Sequence, residues 1–125
     1  MDPDVEVAIA PTGRFTAGRL DRHWYVGCLS QELRRRPLAR TVLDLPLVLF
    51  RDRHGAPAAL LDRCPHRNVP LSAGRCLDGE IECSYHGWRF ATDGTCVDVP
   101  GLDSVVDRGA TRVASVPAVA KRQPW

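Results

Sequence analysis

Two short segments of the chain each place a cysteine close to a histidine. Cys64 and His66 are two positions apart in CPHR, and Cys83 and His86 are three apart in CSYHGW. Thiolate and imidazole groups are ligands that proteins offer to zinc, copper and iron centres. Two such pairs, both set among turn-forming residues, indicate one inorganic centre with two sulfur and two nitrogen ligands.

The arrangement of these ligands leaves two kinds of centre open. Tetrahedral zinc accepts two sulfur and two nitrogen ligands, but such sites usually pair cysteine with cysteine and histidine with histidine. Here each segment supplies one of each. A two-iron, two-sulfide cluster with two cysteines on one iron and two histidines on the other needs that combination. The spacing favours the two-iron cluster, and a structural zinc module is the less favoured alternative.

The local patterns that must position the first segment are those of strands. Arg40–Asp52 is rich in Val, Leu and Phe, and Pro46 inside it favours two short strands or one bulged edge strand over a continuous strand. RHGAP is typical of a turn, and Ala58–Arg63 follows as another strand. We expect a hairpin whose last strand leads into Cys64.

The second segment lies between two further strand patterns. Gly79–Ser84 alternates in polarity, and Trp88–Pro100 has two strand-like runs about Asp93-Gly94, which is a hairpin signal. Each Cys-His pair thus follows a strand, and if those strands are neighbours both loops emerge on the same side of one sheet. We predict a mainly β domain of short antiparallel strands.

One short helix is predicted, over Ser30–Arg36, with Ser30 as N-cap and Pro37 as its end. The basic run Arg34–Arg36 is expected to be a solvated surface, with a docking patch for a redox partner as the alternative. The segment Val113–Trp125 is expected to end on a strand.

The length, composition and charge of the chain limit the kinds of protein to which it can belong. The 125 residues suffice for one domain, and 44% hydrophobic with 26% charged residues is typical of a globular chain. A net charge of +2 is too small to favour nucleic-acid binding. No apolar run approaches the roughly 20 residues of a membrane span, and the N-terminus does not resemble a signal peptide. We therefore predict a cytoplasmic protein with no membrane partner. An odd number of cysteines, five, argues against a closed disulfide framework.

The remaining thiols and imidazoles are not expected to be ligands. Cys28 and Cys96 are predicted to be buried thiols, and Cys76 is left without a role. His23 and His54 are predicted to be exposed.

The two segments resemble the cluster-binding motifs of Rieske proteins. They are most similar to those of the Rieske domain at the N-terminus of ring-hydroxylating, non-haem iron oxygenase large subunits. The similarity covers roughly residues 20–119. It includes Trp24–Pro37, Pro46–Gly55, Asp62–Gly74, Cys83–Cys96 and Val99–Leu102.

This resemblance implies a Rieske-type antiparallel β-sandwich with a small cluster-binding subdomain and little helix. The domain would occupy residues 20–119, after an N-terminal lead over 1–19 and before a tail over 120–125 that is a possible truncation point before a catalytic domain. The resemblance implies a [2Fe–2S] cluster with Cys64 and Cys83 on one iron and His66 and His86 on the other. Around these ligands it places Arg67, Tyr85, Gly87 and Trp88.

The resemblance also implies the kind of cluster. Val69 and Tyr85 stand where respiratory Rieske proteins have disulfide-forming cysteines, and Trp88 stands where they have a serine that donates to a cluster sulfide. Fewer donors to sulfur lower the reduction potential, so a low-potential cluster is expected.

The implied function is electron transfer in a ring-hydroxylating-oxygenase-type system. The chain would take single electrons from a reductase or ferredoxin and pass them to a mononuclear iron held by two histidines and a carboxylate. Only His23 and His54 remain for such a site, so no complete catalytic site is expected in this chain. A stand-alone Rieske-type ferredoxin is the alternative.

Overall fold

The computed structural model describes most of the chain. The described residues are 3–9, 23–65, 68–85, 87–99 and 112–121.

Strands dominate these residues, which confirms the mainly β fold class. In chain order they are β1 Asp4–Ile9, β2 His23–Leu29, β3 Leu38–Val42, β4 Leu45–Arg51, β5 Pro57–Leu61, β6 Arg75–Leu77, β7 Glu80–Glu82, β8 Arg89–Phe90, β9 Cys96–Asp98, β10 Ser115–Val116 and β11 Ala118–Lys121. Two single-turn 3-10 helices, Ser30–Glu32 and Leu71–Ala73, are the only helices in the described ranges. None of the described residues forms a helix with the length and hydropathy that a membrane crossing requires.

The strands form three antiparallel sheets. Sheet A has the order β11-β1-β2, sheet B the order β10-β5-β4-β3, and sheet C the order β6-β7-β8-β9. Sheet C is built from the residues around the second Cys-His segment.

Sheet B is the middle layer, because β4 and β5 are buried on both faces. Side chains alternate between the faces of a strand. Leu47 and Leu49 therefore face one core, which they share with β1 of sheet A, while Val48 and Phe50 face a second core, which they share with β7 and β8 of sheet C. This double burial explains why β4 is an unbroken apolar run rather than an alternating one.

The predicted division of Arg40–Asp52 into two strands is confirmed, but the break lies before the proline. Leu43 and Asp44 form the turn between β3 and β4, with positive φ values of 51° and 63°. Pro46 lies inside β4, paired with Thr41 of β3. The strand pairing with β5 begins at Leu47. Beside it, the Pro46 carbonyl accepts the Asp62 amide at 2.9 Å, and the N–H that proline lacks is not needed for that bond.

The predicted helix over residues 30–36 is wrong. Only Ser30–Glu32 forms a turn, its N-cap position is Leu29 rather than Ser30, and residues 34–36 are bends. The guanidinium of Arg51 donates to the carbonyl oxygens of Ser30 and Leu33 at 2.8 and 2.7 Å. A longer helix would need the Ser30 oxygen for its own hydrogen bonds.

The ends of the chain also contribute strands. β1 lies within the segment expected to be an N-terminal lead, yet it is the central strand of sheet A, with Val5 and Val7 fully buried. The predicted C-terminal strand is present as β10 and β11. Residues 122–125 and the stretch 100–111 lie outside the described residues.

Candidate metal centre

Cys64 and Cys83 meet in the core between sheets B and C. Cys64 is 0% exposed and Cys83 is 1% exposed, and their thiols lie close enough to interact. Each follows a strand, as predicted: Cys64 comes three positions after β5, and Cys83 comes directly after β7. These strands are not neighbours in one sheet, however. The cysteines meet because two sheets pack face to face.

The first loop, residues 64–69, is closed at its base by backbone hydrogen bonds. The amide of Cys64 donates to the carbonyl oxygen of Val69 at 2.8 Å, and the amide of Asn68 donates to that of Cys64 at 2.7 Å. Asn68 has a φ of 59°, in the left-handed region. Asparagine tolerates this conformation better than most residues, which lets the chain reverse within the loop.

The second loop, residues 83–88, has the same design. The amide of Cys83 donates to the carbonyl oxygen of Trp88 at 2.7 Å, again five positions along the chain. Gly87, the fourth residue after the cysteine, has a φ of 72°. A glycine adopts this conformation without steric cost. The two loops therefore have equivalent backbone hydrogen bonds and turns, and each has a buried cysteine at its base.

Burial dominates the electrostatics of the Cys83 thiol. Burial raises the pKa of the Cys83 thiol from 9.0 to about 11; the backbone amide of Tyr85 opposes this, and the contact with Cys64 adds to it. Metal binding requires thiolates and so releases protons. A bound metal cation would attract the thiolates and so stabilise their negative charge, which the apolar surroundings cannot do.

The Tyr85 amide is already directed at sulfur. It donates to Sγ of Cys83 at 3.4 Å. Such donors stabilise thiolate ligands and tune an iron–sulfur centre. Two neighbouring thiols buried in an apolar core, with an amide directed at one of them, fit the cysteine half of a two-iron cluster.

Three of the predicted site residues, His66, Arg67 and His86, lie outside the described residues. Their roles as ligands and neighbours of the cluster stay predictions. In sequence, His66 falls between Cys64 and Asn68, and His86 directly precedes Gly87.

The other predicted neighbours are placed in the second loop. The side chain of Tyr85 is 40% exposed. That of Trp88 is half-buried and packs against the core that holds both cysteines. Gly87 supplies the left-handed turn between them, and its amide contact with a cluster sulfide stays a prediction.

Sequence reasoning missed the residues that fasten the first loop to its surroundings. The carboxylate of Asp62 accepts hydrogen bonds from the amide and hydroxyl of Ser72, at 2.7 and 2.6 Å. Gly74 packs so closely on the carbonyl oxygen of Glu82 that a Cβ would collide with it. The left-handed preference of Asn was the one available sequence signal, and it pointed to Asn68.

Two of the remaining cysteines, Cys76 and Cys96, belong to the same core as this pair but lie on β6 and β9. Cys28 and Cys96 are buried as predicted, and Cys76 is half-buried; His23 and His54 are exposed as predicted. Burial raises the pKa of the Cys28 and Cys76 thiols. Within the described ranges, no group of three or more potential metal ligands is assembled.

The basic run Arg34–Arg36 is exposed and distant from the first loop. It follows Leu33, whose carbonyl is held by Arg51 at the end of β4, opposite the start of β5. Cys64 follows the other end of β5, about 13 Å away at roughly 3.3 Å per residue. The run thus lies at the opposite end of sheet B, which favours the solvated-surface interpretation.

Comparison with known proteins agrees with this geometry. Residues 23–117 match the family described as Rieske [2Fe-2S] domain. The chain is 52% identical over 77 residues to the oxygenase component of dicamba O-demethylase from Stenotrophomonas maltophilia, which covers 62% of the chain and 23% of that protein. It is 38% identical over 123 residues to phenoxybenzoate dioxygenase subunit alpha from Ectopseudomonas oleovorans, which covers 98% of the chain and 28% of that protein.

A solved structure agrees as well. The crystal structure of apo dicamba monooxygenase superposes with a TM-score of 0.71 at 39% identity, over 82% of the chain and 34% of that structure. The chain spans about a quarter to a third of the length of these relatives.

Proposed function

Because the chain belongs to the Rieske [2Fe-2S] domain family, we propose that it is the electron-transfer domain of a ring-hydroxylating-oxygenase-type system. A Rieske domain carries a two-iron, two-sulfide cluster, and such a cluster supplies one-electron transfer. The observation that carries the proposal is the contact between two buried thiols, Cys64 and Cys83, at the bases of two equivalent loops.

In this proposal the two loops supply two kinds of ligand. Cys64 and Cys83 hold one iron as thiolates, and His66 and His86 hold the other through imidazole nitrogens. Each loop therefore contributes to both irons, which is why their matched geometry supports the assignment. Arg67 frames the first loop.

The surrounding residues keep water away and set the electrostatics. Leu71 and Phe90 are fully buried in the core that contains both cysteines. The Tyr85 amide directed at Cys83 stabilises the thiolate. Neither Val69 nor Tyr85 can form a disulfide, and Trp88 has no hydroxyl to offer a sulfide, so the cluster has a low reduction potential.

The proposed partners follow from the relatives. One of them is named an oxygenase component and another a subunit alpha, so each is one part of a multi-component system. We place a reductase or ferredoxin upstream of this chain and a mononuclear iron site downstream of it. In this proposal the second iron is held elsewhere, because the remaining histidines, His23 and His54, are exposed and belong to β2 and to the turn between β4 and β5.

The cellular site is proposed from the thiols. All five cysteines are free. Two of the buried ones, Cys64 and Cys83, are neighbours, and an oxidising compartment would favour a disulfide between them. A reducing compartment such as the cytoplasm suits them.

The deciding experiment combines metal analysis with spectroscopy. Iron and acid-labile sulfide are counted, and the visible and low-temperature EPR spectra of the dithionite-reduced protein are recorded. Two irons, two sulfides and the low average g value of a histidine-ligated cluster support the proposal. A colourless, EPR-silent protein with one zinc refutes it. Electron transfer from the reduced protein is then measured. Transfer to unrelated acceptors but not to a mononuclear iron oxygenase site indicates a ferredoxin instead.

A further inference from the structure

The two cysteine loops differ in what holds their ends together. The second loop joins β7 to β8, and these strands pair across its base, Glu82 with Arg89 and Ile81 with Phe90. The first loop joins β5 of sheet B to the 3-10 turn Leu71–Ala73, so the elements that flank it do not form a ladder with each other. β5 and this 3-10 turn must therefore be held together by contacts other than strand pairing.

Asp62 and Ser72 make that connection. Oδ1 of Asp62 accepts the backbone amide of Ser72 at 2.7 Å, and Oδ2 accepts its hydroxyl at 2.6 Å. The Asp62 amide donates to the carbonyl oxygen of Pro46 at 2.9 Å, which anchors this side to β4. Both residues are half-buried, which limits competition from water.

We infer that Asp62 is a positioning residue for the cluster, closing the first loop through Ser72 as the β7–β8 ladder closes the second. The inference rests on the proposed function for its effect on the cluster. There each loop gives one ligand to each iron, so a loosened first loop weakens Cys64 and His66 together. Losing the Asp62–Ser72 contact thus releases the whole cluster rather than one iron.

Three variants separate the contacts. Asp62→Ala removes both hydrogen bonds, and Ser72→Ala removes only the hydroxyl bond. Asp62→Asn keeps both contacts, because its carbonyl accepts the Ser72 amide while its NH₂ group donates to the hydroxyl oxygen.

A matched control exists at the far end of sheet B. Asp52 accepts the amides of His54 and Ala56 at 2.8 and 2.9 Å in the turn between β4 and β5. Asp52→Ala removes the same kind of contact away from the cysteines.

The first measurement is the rate at which visible absorbance is lost from the holoprotein in excess iron chelator. Asp62→Ala is expected to lose its cluster about tenfold faster than wild type, since each hydrogen bond to a charged group contributes substantially. Asp62→Asn keeps both contacts without the charge, so it and Ser72→Ala fall between these two rates, and Asp52→Ala matches wild type. The double variant D62A/S72A is no faster than D62A, because both act on one contact. Equal rates for D62A and D52A overturn the inference.

The second measurement does not depend on the cluster. Hydrogen exchange is followed at the amides of residues 62–72 and, separately, 80–90 in the chain with and without metal. D62A is expected to lose protection in the first range and keep it in the second. Unchanged protection in the first range overturns the inference even if the cluster is present. Should D62A fail to fold, which far-UV circular dichroism reports, Ser72→Ala decides by the same two measurements. A wild-type chain without iron refutes the proposed function alone.

Discussion

Asn68 and Gly87 occupy equivalent positions in the two cysteine loops. Each is the fourth residue after its cysteine and each has a left-handed backbone, with φ values of 59° and 72°. The residue that follows each of them offers its carbonyl to the amide of the cysteine, at 2.8 and 2.7 Å. The two loops thus have the same backbone conformation at this position, although the residue types differ.

The two positions are expected to respond differently to substitution. Gly87→Ala forces a Cβ into the left-handed region and should lower the free energy of unfolding by about 1–2 kcal/mol. Asn68→Gly relieves a small strain at a small cost in unfolded-chain entropy, so it should change stability by less than about 0.5 kcal/mol. Urea denaturation curves measure both.

Gly55 is the control for this comparison. It has a φ of 89°, and no atom lies within 4 Å of a Cβ added there. Gly55→Ala should therefore lower stability to a similar degree without affecting iron content, whereas Gly87→Ala should also lower iron content because Gly87 lies in the second cysteine loop. An iron loss in Gly55→Ala as large as in Gly87→Ala would show that the effect is not specific to the loop.

The cysteine pair is expected to be indispensable for the cluster. Cys64→Ala and Cys83→Ala each remove a thiolate from the same iron, so each variant should contain neither iron nor acid-labile sulfide. Colorimetric iron and sulfide assays on the purified variants test this.

Cys76 provides the matched control. Its half-buried thiol packs against the same core but lies on β6, and burial alone raises its pKa. Cys76→Ala should keep two irons and two sulfides. Full iron content in Cys64→Ala or Cys83→Ala would contradict the assignment.

Motif spacing was enough to predict that Cys64 and Cys83 meet, because few arrangements use one cysteine and one histidine from each of two loops. It could not predict how they meet. The two strands that precede them belong to different sheets, and their approach depends on the burial of β4 and β5 on both faces. That packing is a long-range property, which local alternation patterns do not encode.

Local propensity failed where side chains from distant positions intervene. Ser30–Arg36 has the residue types of a short helix, yet Arg51 occupies two of its carbonyls from across the fold. Asp62 has the appearance of an ordinary polar turn residue, and only its contact with Ser72 reveals a structural role. The turn at Leu43–Asp44 lacks the glycine that usually marks a hairpin with positive φ.

Arg51 is expected to contribute strongly to stability and little to the cluster. Its guanidinium donates to the carbonyls of Leu33, Gly55 and Ser30 and to the Ser30 hydroxyl, at 2.7–2.8 Å. Arg51→Ala removes these hydrogen bonds and should cost about 2 kcal/mol or more. Thermal and urea unfolding measure the loss, and iron content should be unchanged at a temperature where the variant is folded.

An exposed ion pair serves as the comparison for Arg51. Arg75 donates to Glu82 at 2.9 Å, but its side chain is 69% exposed. Arg75→Ala should therefore cost less than about 1 kcal/mol. Similar losses for the two arginine variants would show that the hydrogen bonds of Arg51 are as weakly stabilising as a surface pair.

The acid sensitivity of the fold is expected to depend on two turn aspartates. Hydrogen bonds from the Ala56 and His54 amides lower the pKa of Asp52 below its ordinary value of 3.8, and contacts with Thr95 lower that of Asp93 in the same way. A carboxyl whose folded pKa is depressed stabilises the fold above its unfolded pKa, and this stabilisation disappears as the pH falls through the folded pKa. Asp52→Asn and Asp93→Asn should therefore flatten the decline in stability below about pH 4, where the unfolded carboxyl titrates. Urea midpoints of the metal-free protein between pH 7 and pH 3 test this, and variants that lose stability as steeply as wild type would contradict it.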